Sequence, residues 1–275
     1  MRGAHALVLR HPALLLGALA FPWAIVLAGI AAGWWRATGH WLLLVLTVVA
    51  GLGLRGWLRW QRERVIRETP LPQFLKRKLR ETYPQLSHKD ADLVERGLRQ
   101  FFLACHRSPR RFVAMPSRAA DAMWHEFILH TQAYRDWCAL ALGRFLHHTP
   151  AEVLGAQAPR NDGLRRAWYW ACKDEAINPR APSRLPLLFA LDGKLQIANG
   201  FHYVPDCRGV VARDQGGQGA DGGYCATAFS DGSASGDAGG FGGAESGGDA
   251  GDGGAGGGDG GGDGGGGGCG GGGGD

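Results

Sequence analysis

The chain has 275 residues, 47 of them glycine, and the glycines are segregated: 15 lie in residues 1–213 and 32 in residues 214–275. Charge divides at the same place, with ten acidic and no basic residues after Arg213, so a body of +15 and a tail of −10 stand behind the formal net charge of +5. This excludes one globular domain filling the whole length, and the irregular glycine spacing excludes a collagen repeat. Of the 30 basic residues 25 are Arg, a bias of the kind a GC-rich genome produces. The six cysteines have neither the spacing of a disulfide framework nor that of a zinc ribbon.

Ala13 to Trp35 is a run of 23 residues without a charge. As a helix it covers roughly 34 Å, enough for the apolar core of a bilayer, and membrane helices tolerate an internal Pro22. A second run from Trp41 to Leu54 is extended by Gly56, Trp57 and Leu58 if Arg55 snorkels. Five tryptophans (Trp34, Trp35, Trp41, Trp57, Trp60) mark the ends of the runs, where an aromatic belt belongs. The first run is too long for the apolar stretch of a cleaved signal peptide. With the short connector Arg36–His40 between them, the two runs predict a transmembrane hairpin. Arg2 and Arg10 before it and Arg55, Arg59, Arg62, Arg64 and Arg67 after it place both ends in the cytoplasm, with a bacterial inner membrane as the expected location. Those five arginines are also the candidate lipid-facing basic residues. Cysteines on that side of the membrane are expected to be reduced.

Past Thr69-Pro-Leu-Pro, Phe74 to Glu81 reads as a short basic helix stopped near Pro84. Ser87 is a candidate N-cap, with Asp90 and Asp92 in the first turn of a helix that ends before Ser108-Pro109. Phe112–Met115 is ambiguous. Ser117 predicts the cap of a long helix reaching about Leu142, with Gly143 as its stop signal. Apolar residues cover most of its circumference, so it is expected to be central. Pro150 after Thr149 suggests another helix start, and Leu164–Ala176 a buried helix. Leu185–Ile197 fits helix or strand, and Phe201–Val204 a small strand. The expected fold is mainly α, in four parts. These are a transmembrane hairpin over residues 1–60 (spans about 13–35 and 41–58), a basic juxtamembrane linker over 61–84, a cytosolic helical domain over 85–213, and a disordered acidic Gly-rich tail over 214–275. That tail lacks the regular period of a calcium-binding β-roll. Opposite charge lets it act as a tether or fold over the basic body.

The stretch from Met115 to Pro150 is richest in chemistry. A zinc-peptidase reading fails, because His125 and His130 are five apart and sit about 140° apart around a helix. Asp121 and His125, four apart, share a face, as a carboxylate orienting a histidine ligand would. If the chain turns at Gly143, His147 or His148 can return to that face. On an ideal helix Cys138 is a poor partner for His125. The candidate site is therefore Asp121, Trp124, His125, Tyr134, Cys138 and His148, with His125 and His148 as candidate ligands of a divalent transition metal. The plain alternative is a hydrogen-bonded Asp–His pair that staples helices together. His202, Cys207 and Cys225 form a weaker group, and Cys269 stands alone among glycines.

The pattern Asp121-x-x-Trp124-His125-x-Phe127-x-Leu129, followed by Tyr134, Cys138, Gly143 and His148, resembles the core of the glycine-rich domain-containing protein family, and the Gly-rich tail matches too. Many members of that family have a second His where this chain has Phe127. The resemblance spans about residues 85–210, is specific over about 35 of them, and implies a domain type rather than a reaction. Two functions follow as expectations. One is a membrane-anchored, cytosol-facing binding or scaffolding module with membrane lipids and an unidentified protein as partners. The other is a metal-binding domain or metal-dependent enzyme built on Asp121, His125 and His148. Nucleic acid is not an expected partner, because no recognition motif is present.

Overall fold

The computed structural model describes residues 9, 12–36, 39–149, 162–205, 224–225 and 243–245. The fold is mainly helical. In chain order come α1 (Pro12–Ala31), α2 (Trp41–Glu68), α3 (Phe74–Thr82), α4 (His88–Arg107), β1 (Val113–Ala114), α5 (Arg118–Leu129), α6 (Thr131–Ala141), β2 (His147–Thr149), α7 (Asp162–Asp174), α8 (Leu187–Lys194), β3 (Tyr203–Val204), β4 (Tyr224–Cys225) and β5 (Gly243–Glu245).

Among the described residues α2 alone is long and apolar enough to cross a membrane; the apolar part of α1, Gly17–Ala31, is shorter. Its 28 residues give α2 a length of about 42 Å. The first half exposes Leu42, Leu44, Leu46, Val49 and Leu52, while Val65 and Ile66 near the other end are buried. One unbroken helix thus runs from the apolar segment into the body. Residues 61–84, expected as a linker, instead supply Val65, Ile66, Leu71, Leu75 and Leu79 to the core. Glu63 receives two hydrogen bonds from Arg107, at 2.9 and 2.6 Å, and clamps α2 to the end of α4.

The central element is α4, which packs against α2, α3, α5, α7 and α8. It starts at a capping box in which Ser87 Oγ accepts from the Asp90 amide and the Asp90 carboxylate accepts from the Ser87 amide. Phe101 and Phe102 from α4 meet the Trp124 ring of α5, with centroids 5.0 and 6.3 Å away. The long helix expected over 117–142 is two helices. At His130 the backbone leaves helical geometry (φ −88°, ψ 64°). Its Nδ1 lies 2.9 Å from the Glu126 carbonyl oxygen, and its ring stacks on Phe74 at 3.8 Å. A side chain bonded into the i→i−4 ladder is a recognised cause of such a break. The break explains apolar residues all round the expected helix: α5 and α6 each have one buried face, and Phe127 meets Tyr134 and Trp137 across the bend at 5.2 and 5.7 Å.

Ser117 caps α5 by accepting from the Ala120 amide. Behind it sits Asp192 of α8, almost fully buried. Its Oδ1 accepts from Ser117 Oγ (2.7 Å) and the Ala119 amide (3.2 Å), and its Oδ2 from the amides of Arg118 (2.8 Å) and Phe201 (3.0 Å). A buried carboxylate at a helix N-terminus satisfies amides that have no partner in the helix and complements its dipole.

Two short pieces of the region expected to be disordered are paired strand. β5 lies between β1 and β2 in an antiparallel sheet, and β4 pairs with β3 in parallel. The rest of the tail, Cys207, Cys269 and the expected helix start at Pro150 lie outside the described residues; Thr149, its expected cap, is the last residue of β2. Replacing Asp192 with Ala strands the three amides and the Ser117 hydroxyl. It is expected to destabilise the body by roughly 3 kcal/mol or more, read as a lowered urea midpoint of the full chain in detergent.

Candidate functional site

Asp121 and His125 stand one turn apart on α5, and β2 brings His148 to them. His125 Nδ1 lies 3.5 Å from Asp121 Oδ2, and His148 Nε2 lies 3.4 Å from Asp121 Oδ1. One ligand atom from each residue falls within 4.8 Å of the other two. The two imidazole rings are 4.3 Å apart between centroids. Asp121 Oδ1 and His148 Nε2 are both buried and have no hydrogen-bond partner. His125 is half exposed, so the cluster opens to solvent on its side.

Several local constraints place His148. Gly143 ends α6 with φ +70°, and its amide bonds the Cys138 carbonyl at 2.9 Å. A positive φ there favours glycine. A Cβ at Gly143 would also overlap the Arg62 guanidinium. The chain then passes Leu146, whose carbonyl accepts from the Tyr134 hydroxyl at 2.6 Å, while Trp124 Nε1 donates to the same hydroxyl at 3.1 Å. Trp124 also forms the floor of the site, its ring 4.8 Å from that of His148. Burial holds the Tyr134 hydroxyl well above its ordinary pKa, so it stays a neutral donor. Finally β5 pairs along β2, with Ala244 opposite His148.

Of the residues singled out from sequence, Asp121, His125 and His148 converge, and Trp124 and Tyr134 support them. Cys138 does not join them. It lies on α6, buried against Tyr134, with its thiol pushed up to about 11 by burial. His147, neighbour of His148 in an alternating strand, is exposed, with its ring 4.8 Å from Phe145. The five arginines of α2 divide. Arg55 and Arg59 are exposed. Arg64 pairs with Glu68 and Arg67 with Asp174. Arg62 turns inward and donates to the Leu9 carbonyl at 3.4 Å.

Sequence reasoning passed over Asp192, whose bonds to Ser117, Arg118 and Ala119 fix the end of α5 next to Asp121. A single carboxylate in the apolar run Leu187–Ala190-Leu191 was the available signal.

The chain belongs to the UCP032817-like family, whose model matches residues 61–229, more than half of its length. The match begins in the charged half of α2 and takes in the whole Asp121–His125–His148 cluster. Its description differs from that of the glycine-rich domain-containing family, so the latter likeness rests on the motif alone. No curated protein and no solved structure matches the chain.

Tyr134→Phe removes the donor to Leu146 and leaves that carbonyl unpartnered. The expected loss is about 1–3 kcal/mol, measured by urea unfolding. Ending the chain after Arg213 removes β4 and β5. Hydrogen exchange at the amides of 113–114 and 147–149 is then expected to quicken by about tenfold or more, which mass spectrometry of the digested protein reads directly.

Proposed function

We propose that this member of the UCP032817-like family is a membrane-anchored helical binding module that holds one divalent transition-metal ion on Asp121, His125 and His148. One observation carries the reading: three groups of metal-ligand type, from α5 and from a strand more than twenty residues further on, point their donor atoms at one another, and two of those atoms are buried without any other partner. Bonds of about 2.0–2.1 Å to a tetrahedral ion set ligand atoms about 3.3 Å apart. Each imidazole nitrogen lies at about that distance from one Asp121 oxygen, His148 Nε2 from Oδ1 (3.4 Å) and His125 Nδ1 from Oδ2 (3.5 Å), and one ligand atom from each of the three residues lies within 4.8 Å of the other two. Two histidines and one carboxylate suit zinc or iron(II) and leave coordination positions free for a ligand from solution. The half-exposed His125 lies on the side from which such a ligand would come.

The anchor is a helical hairpin of α1 and α2. Its support is the exposed apolar surface on both helices and the bond from Trp23 Nε1 to Thr47 Oγ1 (2.9 Å) that joins them. The arginines after the second span support a body on the cytoplasmic side. Without an ion the same body would be a scaffolding module, its Asp–His contacts purely structural.

Metal analysis separates the two readings. Full-length protein, purified in detergent and loaded with zinc or iron(II), is expected to retain one ion per chain. His148→Ala is expected to weaken binding by more than about a hundredfold with the helical circular dichroism unchanged. A wild-type chain that retains neither metal would leave scaffolding as the function.

A further inference from the structure

A second site lies where the apolar helices enter the body. A cavity of about 450 Å³ opens between α1, α2, the end of α4 and the turn after α6. Its polar lining is Arg55, Arg59, Arg62, Arg144 and His106, and among the described residues no acidic one lines it. Among the described residues the Arg62 Nε, the Arg144 Nε and both ring nitrogens of His106 are buried with no hydrogen-bond partner. Orphaned donors of this kind are expensive in a folded protein, and each calls for an explanation.

The donors are held in place by other bonds. Arg144 Nη2 donates to the Cys105 carbonyl at 2.7 Å, and the Arg62 guanidinium rests on Gly143, where a side chain would collide with it. The carboxylate closest to hand, Glu63, is taken up by the two bonds from Arg107. Burial lowers the Arg144 guanidinium below its usual range. It also holds His106 down at about 4, against the pull of Glu63 and with the fields of Arg144, Arg62 and Arg59. His106 is therefore neutral near pH 7 and offers one N–H. The arrangement is several N–H donors and three guanidinium fields, while the nearby carboxylate, Glu63, is already bonded to Arg107.

The other walls say which anion fits. Leu19, Leu54 and Leu58 line the cavity from α1 and α2, on the side facing the apolar segments. An anion that enters here brings hydrocarbon with it. We propose that this cavity binds the phosphate headgroup of an anionic phospholipid, with Arg62, Arg144 and His106 donating to the phosphate, Arg55 and Arg59 at the rim, and the acyl chains lying along α1 and α2. The site rests on the membrane-anchored reading and is independent of the metal cluster. It fixes the depth and tilt of the body on the membrane, since its donors come from the anchor (Arg62) and from the body (Arg144, His106) together.

The test uses full-length protein in detergent and native mass spectrometry, with phosphatidylglycerol, phosphatidylcholine and inorganic phosphate as probes. Phosphatidylglycerol is expected to bind at one site and phosphatidylcholine at least about tenfold more weakly. Arg144→Gln is expected to weaken phosphatidylglycerol by about tenfold, and the variant Arg59→Gln, at an exposed residue, by about fivefold. Equal binding of the two lipids, or unchanged binding in both variants, overturns the site. Inorganic phosphate that displaces phosphatidylglycerol at equal concentration also overturns it, since the ligand is then a soluble anion. A carbonate wash of membranes distinguishes the two failures. Release of the chain removes the anchoring reading and the lipid site together; a chain that stays in the membrane but ignores lipid charge removes only the site.

Discussion

The constraint on which the body depends is the buried carboxylate of Asp192. It takes hydrogen bonds from two elements at once, the start of α5 and the chain entering β3, from a helix whose other buried residues are apolar. A carboxylate this deep is tolerable only when its oxygens are fully occupied, and here each accepts two bonds. The consequence is positional. Because Ser117, Arg118 and Ala119 are bound to Asp192, the first turn of α5 has one rotational setting, and Asp121 and His125 follow it round the same helix. The orientation of the candidate site is thus set some distance from the site itself.

A second device acts on the other half of the cluster. His130 ends α5 and starts α6, which folds Tyr134 back towards Trp124, and the Trp124–Tyr134–Leu146 chain of hydrogen bonds then aims the segment that becomes β2. If α5 and α6 were one straight helix, His125 and His148 would have no common floor. Periodicity shows that both ends of this segment are helical and that its apolar surface runs all the way round. It does not show which of two physical causes applies, a central helix or a bend between two amphipathic ones. The histidine that breaks the helix does so through contacts with Glu126 and with Phe74, more than fifty residues earlier, and no local rule contains the second.

Other parts were plainer in the sequence. Ser87 with Asp90, and Ser117 with its following helix, are local chemistry, because the cap and its partner lie within one turn. The face shared by Asp121 and His125 is equally local. What a single sequence hides is long-range. The charged residues after Trp57 look like a linker when read by composition, yet Val65 and Ile66 among them are buried because helix α4 lies on that side. In the same way a glycine-rich composition argues against burial but not against backbone pairing. Gly243–Glu245 contributes amides and carbonyls to β1 and β2, for which no large side chain is required.

These pieces join at the turn after α6. Gly143 has a backbone that favours glycine and a surface that Arg62 occupies, so one residue links α2 to the loop that delivers His148. Arg144, next in the chain, reaches the carbonyl of Cys105 on α4, and Leu146 receives Tyr134. A change of tilt of α2 that moves Arg62 must displace Gly143 or lose its contact, and Gly143 is five residues from His148. The segment that exposes Leu42 to Leu52 and the Arg62 that meets Gly143 lie on the one continuous helix α2, Trp41 to Glu68. The apolar helix α2 and the Asp121–His125–His148 cluster are therefore joined through a few packed residues, a contact that a flexible linker in place of the charged half of α2 would not supply.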